Sequence, residues 1–269
     1  MAAREPRSRN PERRMSLGQH LVELRKRLFR GALAIVVGTI GGWFLYDLGV
    51  WNLLSEPIIR IAEAQGEDAG TVALNINNIT GGFEIHLQVA IVIGIVISSP
   101  VWLYQVFAFF VPGLKSREKK YTFGFFFAAV PLFLAGCYAG WWVLPHIVEI
   151  MASFIPAGST SFYDTKGYLD FVLKLVLAAG IAFVLPVFLV LLNFVGILQG
   201  KTILKGWRWA ILAIAVFTAL ATPAADVVSM FLLAIPMVFL YFVAVFIALW
   251  HDRIVARRAA AFEASLSGA

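Results

Sequence analysis

Charge is scarce in this sequence. Asp, Glu, Lys and Arg make up only 14% of its 269 residues, against about 25% in an ordinary soluble domain. Cysteine is nearly absent: Cys137 stands alone in an apolar run. That excludes an intrachain disulfide and leaves a small buried hydrophobe. His20, His86, His146 and His251 are scattered, without paired metal-ligand spacing, so neither a metal nor another cofactor is expected. Ser98-Ser99-Pro100 has no evident base partner, which leaves hydrolytic chemistry unsupported and the chain reading as a non-enzyme. Gly196-Ile-Leu-Gln-Gly200-Lys201-Thr202 is one residue short of a phosphate-binding loop and follows no strand, which excludes nucleotide binding.

Apolar surface is what the chain has in excess. Hydrophobic residues reach 60%, with 23 Phe and 8 Trp, and mean hydropathy is +0.82. A soluble fold cannot hide that much carbon, so the class is a polytopic, all-α membrane protein. Charge-free stretches run 31–46, 85–114, 121–148, 175–200, 209–225 and 227–251. A helix needs about 20 residues to cross about 30 Å of hydrocarbon. The stretches therefore predict six transmembrane helices in a concave bundle, the fifth of them short. Residues 1–15 read as a disordered basic tail, 16–250 as the membrane domain and 251–269 as a cytoplasmic tail.

The net charge of +6 would suggest nucleic acid in a soluble protein. Here 19 of the 22 Lys and Arg residues fall before the first span, in the loops 112–120 and 196–208, and after the last span. Cytoplasmic segments collect basic residues, so both termini are expected inside and the charge is a topology signal, with no nucleic acid implied. The external segments 49–83 and 146–168 carry apolar clusters that suggest short helices on the membrane surface or capping the bundle.

Ser16-Leu-Gly-Gln-His20-Leu-Val-Glu23-Leu-Arg25-Lys26-Arg27-Leu28 is the most specific stretch. Ser16 and Gln19 form a capping box, and Leu17, Leu21, Leu24 and Leu28 share one helical face. Glu23 can pair with Arg27 one turn on. On physical grounds alone this is a basic interfacial helix that sets topology. His20-Leu-Val-Glu23-Leu-Arg25-Lys26-Arg27 also resembles the H-L-x-E-L-R-x-R signature of the TatC family, the multispanning receptor of the twin-arginine protein translocase. Ser55-Glu56-Pro57, the run from Pro100 through Tyr104-Gln105 and Phe107 to Pro112, Glu118-Lys119-Lys120, Thr222-Pro223 with Asp226, and Ala234-Ile235-Pro236-Met237 are similar to further family motifs, in order. Val184 departs from the pattern, standing where many members carry a polar residue before a V-P or L-P pair.

The resemblance implies a prokaryotic cytoplasmic-membrane receptor for twin-arginine signal peptides of folded cargo. It would work with single-span TatA-like and TatB-like partners in an oligomer of heteromers driven by the protonmotive force. It places signal binding on Glu23, Glu118, Arg25, Phe109, His20 and Leu21, with Asp226, Gln105 and Pro57 as further functional positions. An arginine pair wants carboxylates, and Glu23 and Glu118 are the scarce acids amid cytoplasmic positive charge. Read from the residues alone, Glu118 is equally a solvated loop ion pair. Asp226 is either an N-cap of the last helix or an intramembrane functional acid. Asp170 and Lys174 read as an interfacial i,i+4 pair. A small-solute transporter or channel is the alternative, but it would need ionisable positions at mid-span. Arg13-Arg14 mimics a targeting signal, but its apolar run begins too far downstream.

Overall fold

The computed structural model describes residues 17–64, 74–75, 79–110, 119–153, 163–222 and 227–267. Helix α1 (Leu17–Leu45) runs through a π-helical turn, Tyr46–Val50, into α2 (Trp51–Ala64). The kink is at Gly49, whose φ of 127° is the left-handed region that glycine occupies without steric cost. Helices α3 (Gly81–Ile97) and α4 (Ser99–Phe110) follow, then α5 (Lys119–Ser153), α6 (Thr165–Phe194), the short α7 (Gly200–Lys205), α8 (Trp207–Ala221) and α9 (Val227–Ser267). The one exception to an all-helical fold among the described residues is a parallel pairing of β1 (Leu74–Asn75) with β2 (Tyr163–Asp164). It ties together the two segments expected to be external.

Four described helical stretches are long and apolar enough to cross a membrane: 18–57, 124–150, 165–194 and 230–267. The stretch 85–114, expected as one span, is instead broken: α3 and α4 meet at 59°. Pro100 has no N–H and clashes with the preceding turn, and the carbonyl of Ile95 is bonded by the Trp102 indole at 2.9 Å. If the bent pair counts as one span there are five. Helix α8, at 15 residues, is about 22 Å long at 1.5 Å per residue, short of a full crossing. The expected short fifth helix is thus present, while six full spans are not reached by length alone.

Tight glycine contacts organise the helix pairs. A Cβ built at Gly38 would sit 2.6 Å from the Gly94 carbonyl oxygen, and one at Gly42 would collide with the carbonyl of Ala90. Gly136 meets Ala179 in the same way, at 2.6 Å. Gly38/Gly42 on α1 and Gly136/Gly140 on α5 are both small-xxx-small stripes, which let backbones approach where burial in lipid offers no hydrophobic gain. Around these crossings the core is apolar. Leu103, Phe107, Phe133, Cys137 and Val184 form one buried cluster between α4, α5 and α6. Val184, lacking the usual polar side chain, simply packs there.

Helix α6 begins ten residues before the charge-free stretch that predicts it, because its charges are partnered. Lys166 meets Glu84 at 2.5 Å. Asp170 accepts from Gln88 Nε2 at 2.5 Å and lies 3.7 Å from Lys174. Helix α9 continues through the expected C-terminal tail to Ser267. In its second half Asp252 accepts from Asn193 at 2.9 Å and from the Gly200 backbone N–H at 2.6 Å. It therefore joins α6, α7 and α9, and His251 stacks on Phe194 at 3.9 Å beside it. Asp252→Ala leaves both donors without this acceptor. We expect a loss of about 1–2 kcal/mol, read as a fall in Tm of about 3–6 °C in detergent. An unchanged Tm would show that the junction carries no stability.

Candidate functional site

The first turns of α1 carry acid and base on the same face. Arg27 donates to Glu23 Oε1 from Nε at 3.0 Å and from Nη2 at 2.6 Å. Both side chains are about four-fifths buried. Glu23 therefore engages its counter-ion through one oxygen only. Its other oxygen, Oε2, is shielded from solvent and has no hydrogen-bond partner among the described residues. Gln105 Oε1, on α4, is in the same condition. Buried acceptors are nearly always satisfied, and leaving one unpaired costs about 1–3 kcal/mol.

The bend at Ser98 brings α4 against α1 and makes this arrangement possible. His20 stacks on Phe109 with ring centroids 4.4 Å apart and planes at 27°. Below that stack lies a cavity of about 380 Å³ whose walls include Arg27, Gly31 and Ile35 from α1 and Trp102, Gln105 and Phe109 from α4. Gly31 leaves room there, since the nearest atom to a Cβ built on it is the Trp102 Cβ at 3.6 Å. The site thus offers oxygen acceptors beside an apolar, aromatic-walled hollow. Chemically it suits a ligand with cationic N–H donors followed by carbon.

Of the residues expected in the site, Gln105 and Phe109 line this cavity, His20 stacks on Phe109, and Glu23 pairs with the wall residue Arg27. Leu21 and Arg25 do not join them; both are exposed. Arg25 stands about 200° around the helix from Glu23, at about 100° per residue. Pro57 is buried in α2, far along the chain from this cluster. Glu118 and Asp226 lie outside the described residues, as does Ser16 of the capping box. Sequence reasoning missed Trp102, which serves both the bend and the cavity wall. Its only sequence signal is an aromatic two residues after a proline at an apolar break.

These features define the class: a helical membrane protein with an acceptor-lined site where its first long helix meets a broken one. A family model described as Sec-independent protein translocase protein (TatC) matches residues 19–236. The chain is 47% identical to the Sec-independent protein translocase protein TatC of Xylanimonas cellulosilytica over 92% of its own length and 88% of that protein's. It is 39% identical to the protein of the same name from Rothia mucilaginosa, over 91% and 82% respectively. A crystal structure of the twin arginine translocase receptor TatC in a detergent superposes with a TM-score of 0.73 at 30% identity, covering 85% of this chain and 99% of that one. The chain belongs to the TatC family, and is a protein-translocase component of the Sec-independent pathway.

Proposed function

We propose that this chain is the receptor that binds twin-arginine signal peptides of folded precursors and recruits single-span TatA-like and TatB-like subunits. The observation that carries the reading is an unsatisfied acceptor on the wall of the cavity between α1 and α4, Gln105 Oε1, with a second, Glu23 Oε2, on the carboxylate that pairs with the wall residue Arg27. A guanidinium supplies five N–H donors and no acceptor. It can take Glu23 Oε2 while Oε1 keeps Arg27. The apolar residues after the arginines then enter the hollow walled by Ile35, Trp102 and Phe109. The solved relative's description as a twin arginine translocase receptor supports the same assignment.

Glu118 is the second carboxylate of this reading, contributed by the cytoplasmic loop between α4 and α5, and Asp226 acts after signal binding. Leu21 and Arg25, being exposed, would meet the signal or a partner at the rim. Pro57 belongs to the external cap. The domain plan is a basic tail over 1–15, a concave six-span membrane domain over 16–250 and a cytoplasmic tail over 251–269. The six spans comprise α1, the bent α3–α4 pair, α5, α6, the short α8 and α9. Both termini lie in the cytoplasm of a prokaryote, with the complex an oligomer of heteromers powered by the protonmotive force. The basic residues on one side support this orientation.

A photo-reactive residue placed at Val106, on the cavity wall, tests the reading in the full chain. It should crosslink a synthetic peptide carrying the arginine pair, and replacing both arginines by glutamine should abolish the product. Equal crosslinking of the two peptides would overturn the site. Co-purification with a single-span subunit should accompany it.

A further inference from the structure

A second cavity lies between α2, α3, α5 and α6, and it is built of carbon. Leu53 and Leu54 of α2 roof it, and Val92, Val96, Trp141 and Val176 form much of its wall. Its volume is about 340 Å³. Water needs two to four polar partners to stay in such a space, and among the lining side chains only the Trp141 indole carries a polar atom.

Depth says what reaches it. Helix α6 has 30 residues, about 45 Å at 1.5 Å per residue, against a hydrocarbon core of about 30 Å. Centred in the bilayer, it overhangs by about 7 Å at each end. Asp170, five residues in, then sits at the interface. Val172 and Val176 fall about 3 and about 9 Å inside the acyl-chain layer on the same count. Immediately above them is a polar rim. Gln88 Nε2 bonds Asp170 at 2.5 Å across the gap between α3 and α6. Lys174, whose backbone lies one turn deeper than Asp170, reaches to within 3.7 Å of it with its side chain 77% exposed. Gln88 and Val92 are one turn apart on α3, as are Asp170 and Leu173 on α6, so the rim stands directly over the cavity.

We propose that this cavity holds one acyl chain of a bound phospholipid, whose phosphate is taken by the Lys174 ammonium at the rim. At about 30 Å³ per water-sized group, the cavity takes roughly eleven carbons. Charge separates this occupant from a bare hydrocarbon: a long ammonium stem can lie along the apolar surface and present its head to an interfacial phosphate. The site is independent of what the cytoplasmic cavity binds.

The test uses the full chain reconstituted in phosphatidylethanolamine–phosphatidylglycerol vesicles doped with a phospholipid bearing a diazirine in its acyl chain. Irradiation and peptide mapping should place label on Val92, Trp141, Leu173 or Val176. Label confined to outward-facing positions such as Phe231 and Ile235 would overturn the proposal. After detergent extraction and exhaustive exchange, about one phospholipid per chain should remain. The Val92→Phe/Val176→Phe chain should retain at least fivefold less, and Lys174→Gln several-fold less. Equal retention by all three would also overturn it. So would crosslinking of a signal peptide's apolar segment to position 176 with no lipid label there.

Discussion

Glu23→Ala is expected to weaken binding of a twin-arginine signal peptide by about ten- to a hundredfold. Hydrogen bonds to a charged group contribute about 1.5–3 kcal/mol each, and 1.4 kcal/mol is a factor of ten in affinity. The substitution removes the oxygen that stands shielded and unengaged, Oε2, together with the one already bonded to Arg27. Glu23→Gln should fall between, because it keeps one acceptor but loses the charge. Arg27→Ala separates recognition from architecture. If Glu23 serves only to pair with Arg27, removing either partner should lower stability alike and leave peptide binding untouched. On the proposed reading, Arg27→Ala frees Oε1 for the ligand and binding is kept or tightened while Tm falls. Peptide titrations at two ionic strengths decide the matter. The wild-type affinity should drop as salt rises, and the Glu23→Ala affinity should depend on salt less.

Gly94→Leu should abolish a monodisperse fold. A Cβ at this position would lie 2.5 Å from the Thr39 backbone nitrogen and 2.7 Å from its Cα, so the clash is with the α1 backbone and not with a side chain that could swing away. Separating α1 from α3 opens the whole crossing, including the Gly38 and Gly42 contacts. Overpacking a core commonly costs about 1–3 kcal/mol and occasionally more; a backbone collision at the centre of a crossing belongs to the upper end. Gly41→Leu is the matched control. It lies on α1, the other helix of the pair, but nothing is within 4 Å of its Cβ position. Size-exclusion profiles in detergent should show aggregation for Gly94→Leu and a wild-type peak for Gly41→Leu. A normal peak for both would mean that the close approach is not needed to hold the pair.

Apolar runs alone locate α5, α6 and α9, because a span in lipid needs a long uncharged stretch and little else. The Glu23–Arg27 and Asp170–Lys174 pairs are legible too, since i,i+4 spacing is local. The bend at Ser98 is harder to read. Pro100 marks a place where a helix can break, but whether it does depends on whether the freed carbonyls find donors, here the Trp102 indole. Distance in sequence hides the rest. Gln88 and Asp170 are 82 positions apart, and Asn193 and Asp252 are 59 apart. Neither partner announces the other, and each pair exists only because two helices lie side by side. Partnering also explains why α6 carries three charged residues in its first ten. The orphaned oxygens of Glu23 and Gln105 are likewise invisible before the fold, because burial is a property of the neighbours.

The 59° break gives α4 the mechanics of a lever. Its fulcrum is the Trp102–Ile95 clasp, and Phe109 lies about 15 Å from the break, ten residues at 1.5 Å per residue. A change of about 10° at the break would carry the Phe109 ring about 2.6 Å along its arc on that arm length, enough to undo its stack on His20. The stiffness of the joint held by one indole hydrogen bond therefore governs a ring contact ten residues away.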